Sequence, residues 1–215
     1  GGSRTKDDVL VGAGVVGLAV ARAMAQKERE VLIVESAAEF GTETSSRNSE
    51  VIHADIFYEH GSYKERLCIE GRDKLYPFCD AYGATYKRTT KLVYATGENE
   101  IPRLKQLQAD AAKGGVHMTW MSKADTAHLE PQLQCTGALH SPLTGILDSH
   151  AFMLALFGDA EANDAIISYT SPVTSGREAD DGVEYVNSID YAVGENRPET
   201  FYQAIRKYWP DLPDD

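Results

Sequence analysis

Cysteine, basic residues and long apolar runs are all in short supply in this sequence, and each shortage removes a class of protein. Three cysteines, at positions 68, 79 and 135, are too few and too scattered for a disulfide framework or a zinc module, and they fit a reducing compartment. His60, His117, His128 and His140 show no ligand spacing, so no metal site is expected. The longest uncharged apolar stretch, Val9 to Ala21, has 13 residues, well short of the roughly 20 that span a bilayer. No transmembrane segment is expected. Asp7 and Asp8 ahead of that stretch and three glycines inside it also argue against a secretory leader, whose core is a plain greasy helix. Lys and Arg number 21 against 33 Asp and Glu, a net charge of −12, which disfavours a nucleic-acid partner. From Glu178 to Asp215 ten acids face only Arg197, Arg206 and Lys207. Such charge keeps a chain soluble and repels anionic surfaces without naming a partner.

What is present is ordinary globular material. With 42% hydrophobic and 25% charged residues the chain can bury a core, and 215 residues make one large domain or two small ones. Val9-Leu10-Val11 reads as a short buried strand, Val15 to about Lys27 as a helix, and Val31 to Val34 as a second strand ending at Glu35. Strand, helix and strand in this spacing form a βαβ unit with a parallel pair. Residues 37–61 read mostly as loop. Ser62 to Glu65 is a capping box opening a helix that Pro77 should kink or end. Further expectations are a strand at Lys91–Ala95, helices at about 100–113, 122–128 and 149–163, and a last helix between Pro198 and Pro210. The stretch from Thr174 to Gly182 looks like the weakest join. The fold class that follows is α/β, a Rossmann-type βαβ domain with an added α+β part.

The chemistry concentrates first in Gly12-Ala13-Gly14-Val15-Val16-Gly17. This is G-x-G-x-x-G in its required place, after a strand and opening a helix. Gly12 permits the tight turn, Gly14 lets the backbone approach a pyrophosphate, and Gly17 lets helix pack on strand. The helix N-terminus offers free N–H groups and partial positive charge to the phosphates. Glu35, 18 residues past Gly17, can accept the hydroxyls of an adenosine ribose and would repel the 2′-phosphate of NADP. The turn alone leaves NAD and FAD both open. No glycine follows the helix, since Gln26 leads into Lys27-Glu28-Arg29-Glu30, an omission that costs about 1 kcal/mol.

The most distinctive segment is Thr42 through Tyr58, TETSSRNSEVIHADIFY. With the glycine turn, Gly61-Ser62 through Cys68, Glu70-Gly71-Arg72, Lys91-Leu92-Val93, Ser141 through His150, and Phe201-Tyr202 through Pro210, it resembles the FAD-dependent L-2-hydroxyglutarate dehydrogenases of the D-amino-acid-oxidase-like flavoproteins. The resemblance implies FAD as cofactor and hydride transfer from C2 of a small 2-hydroxy acid, with a separate and unassigned electron acceptor. It implies that Thr44, Ser45, Ser46, Arg47, Asn48 and Ser49 run along the pyrophosphate and flavin, with Ser36 and Val173 also bordering the cofactor. His53 would stand beside flavin and substrate to take the hydroxyl proton or bind a carboxylate. It further implies an FAD-binding domain at 7–85 and 137–182, discontinuous and incomplete, and substrate-domain parts at 86–136 and 183–215. The expected location is the cytoplasm in a bacterium, or the matrix side of a mitochondrion, peripheral to the inner membrane.

The sequence also departs from the pattern. Asp55 stands where the His-x-Gly-Ile-Tyr-Tyr run of the family has glycine. Family members are considerably longer, and an Asn-Ala-Ala-Gly strand and a Gly-Ile-Arg-Pro-Lys segment that close over the flavin have no counterpart here. Plainer readings stand beside these. Without its motif, His53 is a structural histidine. His150 is a cap or packing residue, Cys68 and Cys79 are core, Arg47 is as well a solvated loop residue as a phosphate ligand, and Phe201, Tyr208 and Trp209 pack one helix face. An amine-oxidising relative and an inactive dinucleotide-binding remnant are the alternative functions.

Overall fold

The structure, a computed structural model, describes residues 8–54 and 56–174. Asp55, most of the join after Thr174 and the expected last helix lie outside the described residues. The elements in chain order are β1 (Asp8–Val11), α1 (Val15–Ala25), β2 (Val31–Val34), a single tight helical turn at Thr44–Ser46, β3 (Val51–Ile52), α2 (Tyr63–Tyr82), β4 (Tyr86–Lys87), β5 (Lys91–Ala95), α3 (Ile101–Lys113), β6 (Thr119–Ser122), α4 (Lys123–Leu129), β7 (Gly137–Ser141), β8 (Gly145–Leu147), α5 (Ser149–Ala162) and β9 (Ile166–Ser168). They divide into two compact units. Of the described residues, 8–51, 74–87 and 146–174 form the first, and 52–54, 56–73 and 88–145 the second. The sequence-based grouping of 7–85 with 137–182 differs from this division at three places. Residues 52–73 and 137–145 fall with the second unit, the latter because β7 pairs with β5 and β6, and 86–87 fall with the first because β4 pairs with β8.

In the first unit β1, β2 and β9 form a parallel sheet with β2 in the middle, Leu10 opposite Ile33 and Ile33 opposite Ile167. Val31 and Ile33 are fully buried, as expected of a strand covered on the face they share. Leu18, Ala21 and Ala25 of α1 meet Met153, Leu156 and Ala160 of α5 in one core. The small side chains on both helices allow close backbone approach. At one side of this core Arg22 donates to Asp159 (2.6 Å) and lies 5.0 Å from the Phe78 ring centroid and 5.2 Å from that of Tyr82. Gln26 also donates to Asp159, at 2.7 Å. Where α1 ends, the missing glycine is replaced by Glu28 at φ +62°, a left-handed conformation that L-residues adopt at a cost.

Pro77 does not end α2; the helix runs five residues beyond it, to Tyr82. The edge-on Phe78–Phe152 contact (5.3 Å) and the Arg22 stack hold the later turns in place, and Gly83 at φ +73° returns its N–H to the Cys79 carbonyl at 2.8 Å. At the other end Ser62 Oγ accepts the Glu65 N–H (3.2 Å), while the Glu65 carboxylate turns to the Gly61 N–H and to His60. The box is thus displaced by one residue. A true capping box forms instead at Ser122 and Asp125, opening α4, and Asp148 caps α5 by accepting the Ala151 N–H at 2.8 Å. His150 stacks on Phe40, with ring centroids 5.1 Å apart.

The second unit is built on the antiparallel sheet β5-β7-β6, registered Lys91 to Ser141, Val93 to Leu139 and Thr119 to His140. Leu104 and Ala111 of α3 pack on Ala95, Val116, Met118 and Leu139, together with Ala54 and Ile56.

Candidate dinucleotide-binding site

The site grows from the end of β1. Gly12 stands at φ +95° and donates its N–H to the Val34 carbonyl (2.8 Å), so the chain turns while still bonded to β2. A Cβ on Gly17 would lie 2.1 Å from the Gly12 carbonyl oxygen, so only glycine lets α1 rise this close to the strand. The first bond of α1 runs from the Leu18 N–H to the Gly14 carbonyl at 3.0 Å. The earlier N–H groups are therefore left to partners outside the helix. Val15 gives its N–H to Ser45 Oγ (3.0 Å), and the place of a Gly14 Cβ lies 3.1 Å from that same oxygen. The Thr44–Ser46 turn thus sits over the positive end of α1.

Glu35 is the best-anchored side chain of the group. It is 7% exposed, and its Oε2 accepts the Ala13 N–H at 2.7 Å while Oε1 accepts the Ala37 N–H (2.9 Å) and the Ser36 hydroxyl (3.1 Å). Burial pushes its pKa up, but the hydrogen bonds from Ala37, Ala13 and Ser36 outweigh that and hold it below the ordinary carboxylate range. Most of a carboxylate's roughly four acceptor positions are thereby taken, and the Ser36 hydroxyl is the donor that can turn away.

The loop is stitched from within. Ser46 Oγ donates to the carbonyls of Thr42 (2.9 Å) and Glu43 (2.8 Å), and Asn48 donates to the Ser45 carbonyl (2.7 Å) and accepts the Glu50 N–H (2.7 Å). Thr44, Arg47 and Ser49 are exposed, as is Val173, two residues past Ser171, whose N–H bonds the Glu35 carbonyl at 2.8 Å. Gly12, Gly14, Val15, Val16, Gly17, Glu35, Ser36, the 44–49 loop and Val173 all belong to the first unit. His53 belongs to the second. It is exposed, with its ring centroid 6.2 Å from that of Tyr58. Partial desolvation, then the ammonium groups of Lys91 and Lys64, hold its pKa below the usual histidine value.

Sequence reasoning missed two supports. The Ala13 and Ala37 N–H groups that fix Glu35 carry no side-chain signal. Glu50, at φ +55°, accepts both the N–H (3.0 Å) and the hydroxyl (2.7 Å) of Ser149 and so ties the loop to the start of α5; only its place before a strand could have marked it. Among the described residues no helix is long and apolar enough to cross a membrane.

Residues 7–209 match the family model described as DAO, FAD dependent oxidoreductase. The mitochondrial L-2-hydroxyglutarate dehydrogenase of Arabidopsis thaliana is 43% identical over 190 residues, which cover 80% of this chain and 39% of that protein. Its counterpart from Homo sapiens is 34% identical over 177 residues, 78% of this chain and 38% of that protein. Among solved structures, the FAD-bound, dithionite-reduced L-alpha-glycerophosphate oxidase of Mycoplasma pneumoniae superposes with a TM-score of 0.74 at 25% identity, covering 80% of this chain and 46% of the other. Glycine oxidase from Geobacillus kaustophilus shares the fold, with a TM-score of 0.67 at 22% identity, over 77% of this chain and 46% of that one. The chain spans less than half the length of these relatives.

Proposed function

Because the chain belongs to the family of FAD dependent oxidoreductases, we propose that it carries the cofactor-binding part of an enzyme that oxidises the C2 hydroxyl of L-2-hydroxyglutarate to a 2-oxo group. The observation that carries this reading is the turn between β1 and α1, closed by Gly17 against the Gly12 carbonyl and flanked by a buried, ionised Glu35. Likeness to proteins named for that oxidation supplies the substrate.

FAD fits the residues present. Gly12, Gly14, Val15, Val16 and Gly17 would line its pyrophosphate at the positive end of α1. Glu35 and Ser36 would meet the adenosine ribose, and Thr44 through Ser49 with Val173 would border the remainder. When bound, FAD supplies the hydride acceptor for the reaction. His53 would take the hydroxyl proton of the substrate on a ring nitrogen. Partial desolvation, then the ammonium groups of Lys91 and Lys64, lower the pKa of this ring, which favours the neutral form that can accept a proton. The location that accords with the names of the eukaryotic relatives is the mitochondrion.

The test is dye reduction by the full-length protein supplied with L-2-hydroxyglutarate, its D enantiomer, or glycine. Reduction with the L-hydroxy acid alone is expected. Peroxide release with glycine and no response to the hydroxy acid would overturn the assignment in favour of amine oxidation.

A further inference from the structure

The short segment that follows His53 carries two aromatic rings, and each holds an ammonium group. Lys64 Nζ lies 4.6 Å from the Tyr58 ring centroid, and Lys91 Nζ lies 5.9 Å from that of Phe57. The Tyr58 ring is in turn the neighbour of the His53 ring. Two lysines from separate elements, α2 and β5, therefore converge on one stretch of chain beside one histidine. Neither forms an ion pair among the described residues. Contact with a ring face steadies an ammonium without consuming its N–H donors, which stay available to an anion.

The placement of each lysine is locally unfavourable. Lys64 lies in the first turn of α2, where its charge opposes the helix dipole. Lys91 is half-buried and stands across the ladder from Ser141, whose hydroxyl is fully buried without a hydrogen-bond partner among the described residues. A buried hydroxyl left unpaired costs free energy. A bound anion would offset the unfavourable placement of Lys64.

We propose that Lys64 and Lys91 form a two-ammonium subsite beside His53 that neutralises the two carboxylates of a dianionic 2-hydroxy acid and so selects dicarboxylates over monocarboxylates. This rests on the reading that a 2-hydroxy acid is oxidised at His53. Two cations with no ion pair among the described residues match two carboxylates in charge, and they supply point charges that do not demand one fixed bidentate geometry. The influence of both ammonium groups on His53 accords with the same neighbourhood, and an arriving dianion would reverse it.

The experiment measures binding and turnover separately in the full-length protein. Glutarate and butyrate serve as unreactive di- and monocarboxylate probes, followed through the His53 ring resonances. Lys64→Gln and Lys91→Gln should each weaken glutarate binding about ten- to hundredfold, the range of a lost charge-assisted hydrogen bond, while butyrate binding shifts far less. Lys64→Arg and Lys91→Arg should keep the preference. Equal losses for both probes, or no loss for either, would overturn the subsite. Dye reduction by L-2-hydroxyglutarate is read alongside. If the parent protein fails to oxidise it yet still shows lysine-dependent selection of glutarate, the subsite stands and the proposed reaction falls. If oxidation is intact and the selection is absent, the subsite falls alone.

Discussion

At the scale of single residues, the carboxylate of Glu35 braces the turn and is the proposed ribose ligand. Its bonds to Ala13 and Ala37 mean that Glu35→Ala removes the brace of the first turn together with the proposed ribose acceptor. We expect FAD affinity to fall by about 1–3 kcal/mol, with a lower urea midpoint in the ligand-free protein as well. An unchanged urea midpoint would show that the turn does not need the brace. Because its pKa is lowered, the stability Glu35 contributes is fully present above the ordinary carboxylate range. It is lost as pH falls through the lowered value. The parent protein should therefore lose more stability on acidification than Glu35→Gln does. His53 follows the same sign for a different reason. Lys91 and Lys64 add to partial desolvation in lowering its pKa, so Lys91→Gln should move the acid limb of kcat/KM to higher pH, and ring resonances should titrate with it. That Glu35 directly follows β2 beside the glycine turn was legible in the sequence. Its backbone donors were not, since Ala13 is 22 positions away and a main-chain N–H leaves no trace in residue type.

At the scale of elements, β1, α1 and β2 were readable because their apolar pattern, their glycines and their lengths agree with one another. Gly17 is the point where that agreement is tightest. Gly17→Ala puts a methyl group 2.1 Å from the Gly12 oxygen, and the helix must lift from the strand. A loss of about 1–3 kcal/mol is expected from such overpacking, with flavin lost as the turn opens. Gly14→Val acts differently, because there the neighbour is the movable Ser45 hydroxyl at 3.1 Å. Its fold should survive while its flavin content drops. A Gly14→Val protein that keeps its flavin would exclude this turn as the phosphate site. The end of α1 was predicted to lack a proper stop, and Glu28 at φ +62° is the residue that bears the strain. Glu28→Gly should stabilise the protein by about 1 kcal/mol, seen as a raised thermal midpoint; no gain would mean the left-handed turn is unstrained. Pro77 does not end its helix, because its cost is local whereas the aromatic contacts that outweigh it are tertiary. The antiparallel strands β6 and β7 escaped because runs such as Gly137-Ala138-Leu139-His140-Ser141 hold small residues whose strand character comes from pairing, not from propensity.

At the scale of the whole chain, the proposed ligands and this chain carry charge of the same sign. Net charge is −12, while FAD carries a pyrophosphate and the proposed substrate two carboxylates. Favourable local features must then overcome an unfavourable distant field: the N–H groups and dipole at the start of α1 for the dinucleotide, and Lys64 and Lys91 for the dianion. The two contributions differ in reach. Salt at 0.1 M screens beyond about 10 Å, which removes most of the long-range repulsion and leaves hydrogen bonds at contact distance largely intact. Association of FAD should therefore quicken as ionic strength rises from low values, opposite to the slowing seen where charge steers a ligand inward. Dissociation should change far less, because it reports the contacts themselves. Stopped-flow quenching of flavin fluorescence at several salt concentrations measures both rates. Slower association with added salt would mean that the positive end of α1, and not the summed acidity of the chain, governs approach to the site.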